Sequence, residues 1–440
     1  MRRPVTEMNR DRKNRTVRCR VTLCLWLWSG ACAALVMTGC GAEPARFSLN
    51  LVHLHSQDVP DEEGQVTLSH DSRQNIAIVL DALYGTPDAP RLPPLPDPDV
   101  LNFLEISKLQ RAAGPTGRDD PQGGERGLYR KHCIHCHGAN GDGAGPTAQY
   151  LNPYPRDYRM GLFKFKSTAG PNTPPTHEDL KRVLVEGIPG TSMPSFKVLD
   201  DGEIEALVHY VKYLALRGQT ERELVQLAKD VDGRYLHPQN VNTENMSTLL
   251  DTVSALAGTW QAAVASEVPP PPANWEDAAS VARGRELFMG KIAICSTCHG
   301  KSALGDGNRD IFDDWTKDFM KPAIGIDNYG ALRASTWHTD EKNKDKREML
   351  EELYAHGALK VRPLKPRNLR RGVYRGGRRP VDLFRRVRNG ILGYMPAAET
   401  DEIKGLIDDD VWHVVAYVRS LPYETITEPS EEIRFQRDLP

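Results

Sequence analysis

Where apolar and polar positions follow a regular pattern along the 440-residue chain, the period is mostly helical. In "DGEIEALVHYVKYLAL" (201–216) and "DDDVWHVVAYVRSLP" (408–422), apolar residues recur three and four positions apart behind an acidic start, which predicts two amphipathic helices. "SRQNIAIVLDALYG" sets Ile76, Leu80, Leu83 and Tyr84 at the same spacing and stops at Gly85; "KDKREMLEELYAHG" predicts another helix, stopped by Gly357. Shorter helices are expected over "GERGLYRKH" (124–132) and "ARGRELFMG" (282–290), and residues 220–268 read as a helical connector. "FSLNLVHLH" alternates with period two instead. The proline-rich "TPDAPRLPPLPDPD" (86–99) reads as a stiff linker, and "PPPP" (269–272) marks a boundary.

Several of these pieces recur in the same order. "PRDYRMGLF" (155–163) matches "PRNLRRGVY" (366–374), and "DLKRVLVEGIPGTSMP" (179–194) matches "DLFRRVRNGILGYMP" (382–396). Each copy opens with one of the short helices and closes with one of the long ones. Duplication of a whole domain explains this better than local coincidence.

Each copy also carries a thiol–thiol–imidazole cluster, "CIHCH" (133–137) and "CSTCH" (295–299), followed by "GANGDGAGP" and "GKSALGDGN". Zinc and haem both use paired cysteines. A zinc ribbon brings its second pair after about 15–20 residues, whereas these pairs are 162 apart and each has its own histidine. C-x-x-C-H is the spacing of c-type haem attachment: two thiols bond one edge of the porphyrin and the next residue reaches the iron. With 8 Cys and 13 His in the chain, chance supplies roughly 0.004 copies of the motif. Two covalently bound haem c groups are therefore expected, on Cys133 and Cys136 with His137, and on Cys295 and Cys298 with His299.

The haem motif, the closing helix and a Met-Pro loop between them resemble class I cytochrome c. The resemblance implies a mainly α fold, with two tandem class I cytochrome c-like helical domains and a small N-terminal head of uncertain fold. In that family a helix before the haem crosses the C-terminal helix. Gly127, Tyr129, Tyr210 and Tyr213 are expected at the first crossing, and Gly284, Phe288, Trp412 and Tyr417 at the second. The implied organisation is a leader (1–39), the head and linker (40–120), domain 1 (121–219), a connector (220–272), domain 2 (273–424) with an insertion at about 308–365, and a tail (425–440). The second copy departs from the first: its His-to-Met separation is 96 residues against 56.

The sixth iron ligand separates electron transfer from ligand chemistry. Met193 and Met395 stand before proline at equivalent repeat positions and are expected to be that ligand, a thioether that raises the potential and closes the site. Met160 and His177 in the first copy, and Met320, His338 and Met349 in the second, are the alternatives. His132 and His135 flank the first motif as exposed polar neighbours; His53, His55 and His70 in the head read as scattered surface histidines. Arg156 and Arg367, equivalent in the repeat, are candidates for pairing with haem propionates.

Composition refines this picture. Residues 1–20 hold eight Lys/Arg and two acids, ahead of the 17-residue apolar run "VTLCLWLWSGACAALVM" and "TGC". That is the order of a secretory signal. "MTGC" resembles the bacterial lipoprotein box, which implies lipidation of Cys40, anchoring on the periplasmic side of the inner or outer membrane, and a membrane partner through lipid. An uncleaved transmembrane anchor is the alternative. Taking 8 of the 57 basic and 2 of the 59 acidic side chains away leaves 49 and 57, a net −8. Nucleic acid is therefore not expected as a partner. Within this acidic chain, residues 360–388 hold twelve Lys/Arg against Asp382 alone. They form either a solvated face partly paired with Glu399, Asp401 and Asp408 to Asp410, or a docking patch for an acidic redox partner or anionic lipid. The chain is expected to be a lipid-anchored diheme electron carrier that serves redox partner proteins. A diheme cytochrome c peroxidase-like enzyme and the haem subunit of a larger respiratory oxidase or dehydrogenase complex are the alternatives.

Overall fold

The computed structural model describes residues 45–57, 68–119, 124–170, 172–230, 243–308, 310–326, 328–391, 395–398 and 405–425. The expected leader with Cys40, together with Glu399, Asp401 and the tail from 426 on, lies outside them. The described chain is mainly helical. The helices are α1 (Leu51–Gln57), α2 (His70–Tyr84), α3 (Ile106–Ala112), α4 (Leu128–His132), α5 (Ile134–His137), α6 (His177–Glu186), α7 (Asp201–Asp230), α8 (Thr243–Gln261), α9 (Ala278–Met289) and α10 (Cys295–His299). They continue with α11 (Asp314–Ile324), α12 (Tyr329–Arg333), α13 (Ser335–Thr339), α14 (Lys344–Ala355), α15 (Pro380–Asn389) and α16 (Asp408–Ser420). Arg118–Asp119 (β1) and Glu125–Arg126 (β2) form a short antiparallel pair. Among the described residues no helix is long and apolar enough to cross a membrane.

Three apolar cores organise the chain from Arg46 onward, which is one compact unit. The first is built on α7, whose Leu207, Tyr210, Tyr213 and Leu214 are buried. Ile76 and Leu80 of α2 and Leu109 of α3 join that same core. The head is thus continuous with the first repeat rather than a separate body. The proline-rich segment serves the same packing, because Leu95 is buried in the first core and Leu92 packs against it. Each such side chain contributes about 1.5–3 kcal/mol, enough to hold an otherwise stiff linker down. The closing helix also runs beyond the predicted 216, to Asp230, since Leu224, Val225 and Ala228 extend its buried stripe.

The second core joins α9, α15 and α16. Here α9 crosses α16 at Gly284, where a Cβ would lie 2.8 Å from Tyr417 Cβ and closer still to the His413 carbonyl. Phe288 stacks edge-on to Tyr417 at 5.4 Å, as expected for this crossing, while Trp412 packs on Phe384 at 4.7 Å. The first repeat differs. Tyr129 does meet Tyr210, at 4.9 Å, but Gly127 precedes α4 with φ 79° and faces the Pro115 carbonyl instead of α7. The expected helix over 124–132 is shortened to its second half because Glu125–Arg126 pairs as a strand with β1.

The third core belongs to the insertion, with Phe312, Trp315, Phe319, Met320 and Leu353 buried together. Val52 of α1 joins it, while Leu54 joins the first core. This explains the period-two stretch at 47–55. Residues two apart point to nearly opposite sides of a helix, so Val52 and Leu54 bury α1 on two sides, whereas Phe47 and Leu49 precede the helix and Leu51 is exposed.

Candidate functional site

Each Cys-x-x-Cys-His segment forms a single helical turn, α5 in the first repeat and α10 in the second. In both, the histidine Nδ1 sits against a backbone carbonyl: His137 against Arg156 O at 3.1 Å and His299 against Arg367 O at 3.0 Å. A neutral ring donates its Nδ1–H to that carbonyl, which fixes the ring and presents Nε2 as the free lone pair. Burial holds His137 neutral by moving its pKa down to about 4, and burial lowers that of His299 as well. His137 also stacks on Tyr158 at 4.6 Å, and His299 tilts against Phe288 at 6.3 Å.

None of Cys133, Cys136, Cys295 and Cys298 is in a disulfide. Burial pushes the Cys133 thiol up to about 12 and Cys295 up to about 11.

The Met loops also match. The Ile188 N–H donates to Met193 O at 3.1 Å, and the Ile391 N–H donates to Met395 O at 2.8 Å. In the first repeat Met193 lines a cavity of about 370 Å³ together with Cys133, Cys136, His137 and Arg156. That volume lies in the usual range for ligand pockets, about 300–1,000 Å³. The apolar wall comes from Leu180, Leu184, Ile188 and Val208, and two buried nitrogens around it, His132 Nε2 and Arg375 Nε, have no hydrogen-bond partner. Two sulfurs, an imidazole and a thioether lining one cavity, an apolar wall and unpartnered nitrogens fit a haem with its carboxylates. A second cavity, of about 250 Å³, lies against Met395 and Ile391.

The other candidate ligands go elsewhere. His177 bonds Lys212 and Glu205, each at 2.9 Å, in a cluster with His209. Met320 is fully buried in the insertion core, Met349 packs against that core, and His338 is exposed. Met160 is half-buried and is not in the wall of the first cavity. His132 and His135 both line the first cavity; His135 is exposed as expected, while His132 is half-buried. Burial, reinforced by Lys131, lowers the pKa of His132. In the head, His53 is buried, His55 pairs with Glu352 of the insertion at 2.9 Å, and His70 bonds Gln74. Arg367 donates to Val373 O and, across the repeats, to Gly190 O at 3.3 Å.

The basic run 360–388 is largely committed within the chain. Arg370 holds Ser302 O and Glu424, Arg379 holds Asp382, Arg388 holds Asp408, and Arg362 lies over the Tyr154 ring. Arg371 and Arg378 remain exposed. Tyr158 and Arg375 were not singled out from the sequence. Tyr158 lies inside a repeated segment, but its counterpart there is Leu369, so the repeat gave no sign of a shared ring.

No curated protein matches the chain. A solved structure, the Kuenenia stuttgartiensis reducing HAO-like protein complex Kustc0457/Kustc0458, is similar at 21% identity over 67% of this chain and 94% of that chain, with a TM-score of 0.41. Residues 124–215 match the family model described as cytochrome c, so this part of the chain is supported as a cytochrome c domain, which implies covalently bound haem c and haem-based electron transfer.

Proposed function

We propose that the chain is a diheme cytochrome c that carries electrons outside the cytoplasm, anchored to a bacterial membrane through a lipidated Cys40. Cys133 and Cys136 hold one haem, with His137 and Met193 as axial ligands; Cys295 and Cys298 hold the other, with His299 and Met395. Haem supplies one-electron chemistry at its iron. The chain's own residues set the environment: the carbonyls of Arg156 and Arg367 orient the two histidines, and the Ile188 and Ile391 amides hold the two Met loops closed. The observation that carries this reading is that repetition, in which the same pinned imidazole and the same closed Met loop occur twice. Two thioether-closed irons favour electron transfer over peroxide chemistry.

The test is the haem count of the exported protein. Two covalent haems per chain are expected, with the long-wavelength sulfur-to-iron band in the oxidised spectrum reduced by about half in either Met193→Ala or Met395→Ala. Haem that extracts into acid-acetone would sink the reading, and peroxide turnover by the wild type would transfer it to the peroxidase alternative. Labelled fatty acid should be taken up through Cys40 and lost in Cys40→Ser.

A further inference from the structure

The first repeat's cavity is not built by the first repeat alone. Arg375, which belongs to the second repeat, is part of its wall. Its Nε is buried without a hydrogen-bond partner, and burial together with the neighbouring Arg367 disfavours its charge. The acid that faces it, Asp313, is engaged elsewhere: it caps the Trp315 N–H at 3.1 Å and pairs with Arg362 at 3.6 Å. A half-buried guanidinium in the cavity wall whose Nε has no hydrogen-bond partner is placed to take an anion.

Equivalent positions of the two copies meet at this wall, although the second cavity, beside Met395, includes none of Cys295, Cys298 and His299. Arg375 follows Lys164 in the repeat as Arg367 follows Arg156, and Lys164 lines both the first cavity and the second one beside Met395. Between the cavities, Phe165 packs on Gly376, its own counterpart in the repeat. A Cβ on Gly376 would come to 2.5 Å from Phe165 Cδ1. The two copies therefore meet through equivalent positions, and that contact delivers a cation of one copy into the cavity of the other.

The geometry points to Arg375 as the residue that pairs with a haem carboxylate in the first repeat's cavity, so that the first haem site is completed by the second repeat. This rests on the reading that haem occupies that cavity. A guanidinium suits a carboxylate in a bidentate fork. Its positive charge favours the reduced iron over the more positive oxidised one.

The experiment is a spectroelectrochemical titration of the full-length holoprotein across a range of pH, comparing wild type, Arg375→Gln and Arg375→Lys. Met193→His serves to mark which of the two transitions belongs to the first haem. Arg375→Gln should shift that transition to lower potential and give it a pH dependence the wild type lacks, with the potential falling as pH rises, because an unpaired carboxylate now titrates. The second transition should stay in place. Arg375→Lys keeps the charge without the fork and should shift the same way by less. If Arg375→Gln does not fold, the Lys variant decides alone. An unchanged first transition and pH profile, in a variant with two haems and an intact Met band, overturns the proposal. Failure of the underlying reading looks different: the wild type would then lack covalent haem at Cys133 and Cys136, or Met193→His would move neither transition.

Discussion

A buried histidine outside the haem motifs makes the acid stability of this protein testable at a single residue. His53 sits in α1 between the first and third cores, and burial, with Arg222, Arg159 and Lys229 adding to it, lowers its pKa to about 3. A histidine whose folded pKa is depressed takes its proton more readily when the chain is unfolded. Stability is therefore full above the unfolded value of about 6.5 and falls as pH drops below it, by up to roughly 1.4 kcal/mol per pH unit for one site. Urea unfolding at pH values on either side of 6.5 should show a shallower acid loss in His53→Gln than in wild type; equal slopes would place the acid sensitivity elsewhere. The cysteine–histidine spacing was legible in the sequence because covalent haem attachment demands it. His53 was not, since a histidine in an alternating stretch looks like a surface residue until a second core closes over its helix.

Helix-level reading succeeded where the apolar spacing is helical. α2 and α14 carry a single apolar stripe, and their predicted starts and stops match the structure closely, as do those of α16, which is buried almost all round from Val411 to Val418. It failed at α1, which is buried on two sides, and at the start of the first repeat, where β1 and β2 displaced half of an expected helix. The two crossings should respond differently to the same change. Gly284→Ala drives a methyl into the His413 carbonyl and should cost several kcal/mol, of the order seen for overpacking, read as a lower unfolding midpoint. Gly127→Ala imposes a left-handed backbone on alanine beside the Pro115 carbonyl, and should cost about 1–3 kcal/mol from strain while leaving the Tyr129–Tyr210 contact in place. If Gly284→Ala proves the milder of the two, the crossing is not as close as described.

On the scale of the whole molecule, the insertion is seated against the rest of the chain. Trp315 Nε1 donates to Asp142 O at 2.7 Å beside the first haem motif, Tyr154 donates to Lys360 O at 2.9 Å, and His55 meets Glu352. No sequence pattern announces such long-range seating. The basic run divides in the same way. Arg370→Gln should lower stability by about 1–3 kcal/mol, because the Ser302 and Leu421 carbonyls lose their donor. Arg371→Gln with Arg378→Gln should leave stability unchanged and flatten the salt dependence of electron exchange with an acidic partner. Stopped-flow rates across a salt series would check it, and an unaltered slope would remove these two side chains from any docking role. The seating of the insertion against the first motif also constrains how the protein is made. If the chain is exported as proposed, it is delivered from its N-terminus, so the Cys133–His137 segment emerges before Trp315 and Arg375, which later pack beside it. A haem ligase must therefore work on the first motif while that flank is still bare. Slowing attachment at the first site should trap a late-folding, protease-sensitive species, whereas the same delay at the second site should not.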